Sequence, residues 1–313
     1  MSAADHRIGR VRVLTGAQNG KYPAGNSLWI DGTDTRAVID PSLSLPARRD
    51  ELAGRADLVL LSHAHEDHTA GLALFADAAV HVHHEDLVGL SGIEGLMQIY
   101  GYGGELAAIT RAWVLERFAQ VPRPDAQCFS DGDTFDLGGS TVRVFHTPGH
   151  TRGHCVFRIE PEGVLFLGDI ELSSFGPYYG DAWSDLSDFE RSIERVRGIN
   201  ATAWVSFHHV GLIEDRSVFL EKLDRFAARI VEREEAMLDF LGEPRTLEQM
   251  IARRFVYPAH ANLPFIDAVE RRTIEQHLAR LQQQGRVLAV ESAGYRAAAP
   301  VGADHARDTI PFP

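Results

Sequence analysis

Lysine is nearly missing from this chain. Lys21 and Lys222 are the only two among 31 basic residues, set against 44 acidic ones, and the formal net charge is −13. A polyanionic partner is therefore repelled at long range unless arginines gather into a local patch. Cysteine is as scarce, with Cys128 and Cys155 alone. Two thiols exclude a disulfide framework. Their apolar and aromatic neighbours predict buried free thiols. Long apolar runs are also lacking, since none reaches the ~18 residues needed to cross a bilayer. The N-terminus, MSAADHRIGRVRVL, has no apolar stretch of the secretory kind. A cytoplasmic protein with no membrane partner is the default expectation.

Histidine, by contrast, is plentiful: fifteen in 313 residues, several bunched. Residues 60–72 read LLSHAHEDHTAGL, with His63, His65, Glu66, Asp67 and His68 directly after the apolar run Leu58–Leu61. Imidazole nitrogens and carboxylate oxygens are the donors that divalent metals of borderline hardness prefer. His63 and His65 at the mouth of a strand can converge on one ion. Asp67 and His68, being adjacent, diverge toward a second. Further ligands are expected at other strand ends. HTPGHTRGH carries His146, His150 and His154; LFLGDI ends an apolar strand on Asp169; VSFHHVG ends another on His208 and His209.

The first 60 residues alternate like short strands (RVRVL, NSLWI, AVIDPS). A short helix is expected over 47–56, a buried strand at DLVLLS, and a helix at GLALFA. Residues 86–120 are helix-compatible with glycine punctuation and form an insertion. Strand rhythm resumes at 127 and runs to VLFLGDI. A helix over 188–198 and the strand AWVSFHH follow. The last third is helical: 216–241 has apolar spacing of three and four, Thr246–Glu248 begins a second helix, 264–284 makes a third, and GRVLAVESAGYRAA makes a hairpin. The boundaries read as a domain over 1–215, a small helical, winged-helix-like domain over 216–298, and a tail over 299–313.

HAHEDH, HTPGHTRGH, LFLGDI and a late strand-end histidine, in that order, resemble the motif set of the metallo-β-lactamase-fold hydrolases. Asp40 in AVIDPS is similar to that family's early aspartate. The resemblance implies an α+β fold, a four-layer αββα sandwich. It implies two divalent metals, with zinc first and iron or manganese as alternatives. His63, His65 and His150 would hold one metal, and Asp67, His68 and His209 the other, with Asp169 bridging. His208 stays open as the late ligand in place of His209. Asp40 would support the turn carrying the cluster, or be a plain turn residue. His146 and His154 would hydrogen-bond to ligands or backbone.

Two such ions sharing a water lower its pKa from ~16 toward ~7 and supply hydroxide at neutral pH. The expected activity is hydrolysis of a thioester or related small acyl ester, with Asp67 and Asp169 in the catalytic centre. A bridging aspartate resembles glyoxalase II-like thioesterases, lactonases and nucleases. Phe175, Tyr178, Tyr179 and Trp183 either wall an apolar pocket or pin their own loop. Met97, Tyr100 and Tyr102 would form the facing wall. The C-terminal third is similar to the tail of lactamase-β-like proteins, a group that includes an endoribonuclease. Single-stranded nucleic acid cleavage is therefore the alternative, and a non-catalytic binding protein a third. The arginines of that third are diluted by Glu248, Glu270 and Glu275, which favours a small-molecule acyl substrate and a lid or homodimer role for the tail.

Overall fold

The computed structural model describes residues 5–290 and 294–298; the tail expected over 299–313 lies outside them. Two sheets carry the fold. The first contains β1 (His6–Ile8), β2 (Val11–Leu14), β3 (Ser27–Asp31), β4 (Arg36–Ile39), β5 (Leu58–Leu60), β6 (Ala79–His83) and β7 (Gln127–Phe129), in chain order across the sheet. Its first four strands are antiparallel and β4 to β7 parallel. The second contains β8 (Thr134–Asp136), β9 (Thr141–His146), β10 (Cys155–Glu160), β11 (Val164–Phe166), β12 (Ala203–Val205) and β13 (Leu212–Ile213). Here only the β11–β12 pair is parallel.

Side chains alternate across a strand with period two, so each sheet has two apolar faces to cover. Val11, Leu28, Ile39 and Leu60 of the first sheet meet Val144, Phe157, Phe166 and Val205 of the second in one buried cluster. The residues between them face outward. Val156, Leu165 and Trp204 pack under Phe189 of the Leu186–Gly198 helix and Phe219 and Phe226 of the Arg216–Phe240 helix. On the other side, Val38, Val59 and Val80 pack under Leu45, Leu72, Phe75 and Ile99. The result is the αββα sandwich.

Several expected helices are shorter than the pattern implied. Residues 47–56 form a 3₁₀ turn, Leu45–Arg48, and one helical turn, Arg49–Leu52. GLALFA makes a 3₁₀ turn over Leu72–Phe75. Both lie on the outer face of the first sheet, where packing dictates local shape more than propensity does. The insertion comprises the turn His84–Ser91 and helices Ile93–Tyr100 and Gly104–Arg117. Gly101 ends the first helix at φ 61°, and a Cβ there would stand 2.3 Å from the Cβ of Ala182. Cys155 is buried, but Cys128 is exposed on the edge strand β7, against expectation.

After the long helix come Leu247–Arg253, closed by a Thr246–Gln249 capping box, then Ile266–Gln283 and the hairpin β14 (Val287–Val290) and β15 (Gly294–Ala297). These elements share a core of Met237, Leu241, Met250, Ile274, Leu278 and Leu281. Among the described residues, no helix is long and apolar enough to cross a membrane.

Candidate metal centre

Every group of the centre hangs from the same end of the sandwich. The 63–68 segment leaves β5, His150 lies in the β9–β10 turn, Asp169 follows β11 and His208 follows β12. His63 Nε2 and His150 Nε2 each lie 3.0 Å from His65 Nδ1, and His150 Nε2 lies 3.2 Å from Asp169 Oδ2. Beside them, His68 Nε2 stands 3.0 Å from Asp169 Oδ1, and Asp67 Oδ2 stands 2.9 Å from His208 Nε2. His63, His65, His150 and Asp169 form one convergent donor group, and Asp67, His68 and His208 a second.

The structure thus brings His63, His65, Asp67, His68, His150 and Asp169 together, and sets His208 beside them where the sequence reading favours His209. His208, 2% exposed, points into the cluster, whereas His209 is 32% exposed and lies 3.7 Å from Glu171. The cause is backbone shape. His209 sits at φ 61°, which turns its side chain away just after β12. The doublet alone carries no sign of that turn.

The donor set fits divalent cations. Two imidazole nitrogens, His63 Nε2 and His150 Nε2, meet at His65 Nδ1, and a single proton can satisfy only one of the pairs. His68 Nε2 and Asp169 Oδ1 are buried without hydrogen-bond partners. Burial, with His68, His65 and His150 close by, holds His63 well below the ordinary histidine range. Burial also opposes charge on His208, but Asp169 and Asp67 outweigh it and raise that imidazole to about 10. The field at the second group therefore calls for positive charge.

Surrounding groups fix the rings. Asp40, fully buried at φ 47°, accepts from the Ser62 amide (2.6 Å) and hydroxyl (2.5 Å), and its Oδ2 lies 2.7 Å from His68 Nδ1. His150 Nδ1 donates to the Tyr178 carbonyl at 3.0 Å, and His208 Nδ1 to that of Ala24 at 2.9 Å. Asp181 Oδ2 stands 3.2 Å from His65 Nε2; burial lowers His65, yet Asp181 carries it to about 9. Such outer partners orient ligand rings and set which nitrogen is free. His154 accepts from the Asp169 amide at 3.0 Å, so it holds the backbone beneath that carboxylate. Gly168 makes this approach possible, because a Cβ there would lie 2.6 Å from His154 Nε2. His146 stays outside, stacked on His83 at 4.0 Å.

A chamber of about 290 Å³ opens beside the two groups. Tyr100, Tyr102, Thr110 and Trp113 of the insertion line it, as do Phe175 and Tyr178 of the loop after Asp169. Met97, Tyr179 and Trp183 do not. Met97 packs in the insertion's own core, Tyr179 is buried against His277 and Arg233, and Trp183 lies under Arg152. Sequence inspection missed Asp181, whose loop has no pattern, and Tyr257, Leu263 and Phe265, which reach the chamber from the C-terminal third. Glu66, which had no assigned role, accepts a hydrogen bond from the Tyr100 hydroxyl. Burial and the neighbouring Asp67 push its carboxyl up to about 7.

The sequence pattern described as the metallo-beta-lactamase superfamily matches residues 22–228. Acyl-coenzyme A thioesterase MBLAC2 of Bos taurus is 29% identical over 199 residues, 56% of this chain and 69% of that protein. Atrochrysone carboxyl ACP thioesterase of Aspergillus fumigatus is 25% identical over 249 residues, 76% and 67% of the two chains. An uncharacterised protein of Mycobacterium bovis is 32% identical over 150 residues, and is matched over 62% of its length and 44% of this one. In shape, a metallo-beta-lactamase family protein of Thermus thermophilus superposes with a TM-score of 0.70 at 24% identity, covering 92% of this chain and 99% of its own. The ordered motifs, the sandwich and the convergent histidines and aspartates have one common explanation: this chain belongs to the metallo-beta-lactamase superfamily and is a metal-dependent hydrolase.

Proposed function

We propose that the centre holds two divalent cations and hydrolyses an acyl thioester or a related small acyl ester. The observation that carries this is Asp169, whose two oxygens face different donor groups, Oδ2 toward His150 and Oδ1 toward His68. His63, His65 and His150 would hold one cation, and Asp67, His68 and His208 the other, with Asp169 between. The donor chemistry suits zinc, and iron or manganese as well. When bound, such cations polarise the substrate carbonyl and bring the pKa of water toward neutrality.

The chain's own groups supply position. Asp40 and Asp181 face the outer nitrogens of His68 and His65, so the inner nitrogens present lone pairs to the centre. Asp67 and Asp169 provide the fixed negative charge against which a water proton can be released. In the reaction, a carbon–oxygen bond forms to the acyl carbon and the carbon–sulfur bond breaks. The acyl part leaves as a carboxylate, and the thiolate takes up a proton from solvent. The two thioesterases among the relatives support an acyl thioester substrate.

Nucleic acid cleavage has weaker support. The arginines of the C-terminal helices are spent on neighbours: Arg271 lies near Glu248 and Glu275, Arg280 pairs with Glu190 and Glu234, and Arg272 donates to the Tyr100 and Gly101 carbonyls. A basic groove is what strand binding would need. The test is metal analysis joined to a substrate panel. The proposal expects close to two bound metals per chain and turnover of thioesters. Cleavage of labelled single-stranded RNA, with thioesters left intact, would reverse it.

A further inference from the structure

Metal binding does not explain the composition of the chamber beside the centre. Among the described residues, eight aromatic side chains line it, including five of the chain's seven tyrosines, and no Lys or Arg does. The rings are ordered. Tyr100 stacks on His65 at 5.4 Å and 20° and on Tyr102 at 5.6 Å and 9°. Trp113 meets Phe265 edge-on at 5.7 Å. Glu66, Glu171 and Asp181 also reach the wall, so among the described residues the charged groups there besides the histidines and the aspartates of the centre are acidic.

Two consequences follow. With the cations of the centre engaged by their ligands and the acyl carbonyl, a phosphate or second carboxylate in the chamber would meet Glu66, Glu171 and Asp181 with no Lys or Arg of the lining to pair it, a juxtaposition that costs binding. Thiol carriers that bear phosphate are therefore excluded from the chamber, which leaves it to the acyl part. Near-parallel rings also favour a flat conjugated guest, which gains stacking that a saturated chain cannot. A space of about 290 Å³ is at the small end of ligand pockets.

We infer that this chamber selects uncharged, flat, conjugated acyl groups, of the benzoyl or cinnamoyl kind, over saturated chains and over acyl groups ending in a carboxylate. The inference rests on the thioester assignment above, and the experiment separates the two. Metal-loaded enzyme is assayed with cinnamoyl-, nonanoyl- and glutaryl-coenzyme A. The expected kcat/KM is about tenfold higher for cinnamoyl than nonanoyl, and about a hundredfold lower for glutaryl than cinnamoyl. Trp113→Leu and Phe265→Leu should each reduce the cinnamoyl-to-nonanoyl ratio about fivefold or more. A ratio at or below unity in the unaltered enzyme, or one that neither substitution moves, overturns the inference. Calorimetric binding of cinnamamide and nonanamide tests the chamber without turnover. Tighter cinnamamide binding that weakens in Trp113→Leu supports it, and equal binding overturns it. If no thioester is hydrolysed while cinnamamide still binds in this Trp113-dependent way, the thioester assignment fails and the chamber's selectivity stands.

Discussion

The metal centre and the C-terminal helices both bury charge, and they do so in opposite ways. In the helices the buried carboxylates are paired within the protein, and Arg233 is paired through its two Nη atoms. Glu270 accepts the amides of Phe255, Val256 and Tyr257 at 2.9, 3.0 and 2.8 Å. Glu234 meets His277 at 3.1 Å and Arg280 at 2.6 Å. Arg233 donates to the Phe175 and Pro177 carbonyls and to the Tyr179 hydroxyl. In the centre, Asp169 Oδ1 and His68 Nε2 are left without hydrogen-bond partners. The difference separates structure from function. Paired carboxylates hold shape, while a set of donors left open to one another is prepared for something outside the chain. The two regions are also linked, because the Glu270 and Arg233 contacts carry Tyr257 and Phe175, which wall the chamber.

Breaking the open set should cost the most. Asp169→Ala removes the carboxylate shared by both donor groups. Hydrolysis should fall about a thousandfold or more, since a bound cation supplies several kcal/mol of transition-state stabilisation, and metal content should fall with it. Unchanged stoichiometry in elemental analysis would contradict the shared role. Breaking the closed set should cost stability instead. Glu270→Ala strands three amides at about 1–3 kcal/mol for a buried donor left unpaired. A loss of about 3 kcal/mol in denaturant unfolding is expected, with metal content retained.

Asp40→Asn sharpens the comparison from between, because Asp40 touches His68 without facing the donor groups. Metal affinity or kcat should fall ~10–100-fold, the usual effect of removing an outer partner, as read by metal titration. The smallest effect should come from pH acting on the helices. Burial, aided by Arg280 and Arg233, holds His277 below its ordinary 6.5. Burial opposes the charge on Glu234, but His277 and Arg280 outweigh it and hold that carboxyl below 4.5. The unfolded chain therefore binds protons that the folded chain refuses. The contribution of this pair is at its full value above about pH 6.5 and declines as pH falls through the histidine and then the carboxylate range. His277→Leu should flatten the first part of that decline in thermal melts at pH 7 and pH 5.5.

Much of the centre could be read from the chain because its donors lie at strand ends, where a polar residue after an apolar run is conspicuous. His63, His65, Asp67, His68, His150 and Asp169 all follow that form. The choice between His208 and His209 could not be read, since it turns on one backbone angle. Asp181 was invisible because a loop residue acquires its partner only when the loop folds back on His65. Tyr257 and Phe265 are 49 and 57 residues beyond His208, and only the packing of the helical third brings them to the chamber. The layer order came with the family resemblance, whereas exact helix lengths on the outer faces did not. Cys128 shows the same limit: apolar neighbours suggested burial, but an edge strand exposes one side.

The residues proposed as ligands are divided between the two sheets. His63, His65, Asp67 and His68 leave the first, and His150, Asp169 and His208 leave the second. Cations held among them would act as a staple across the sandwich, fastening layers otherwise joined by apolar packing and loops. Folding and metal supply then become one equilibrium. The melting midpoint should climb with the logarithm of free metal concentration above the dissociation constant, and a chelator should loosen the two halves of the molecule as well as silence it.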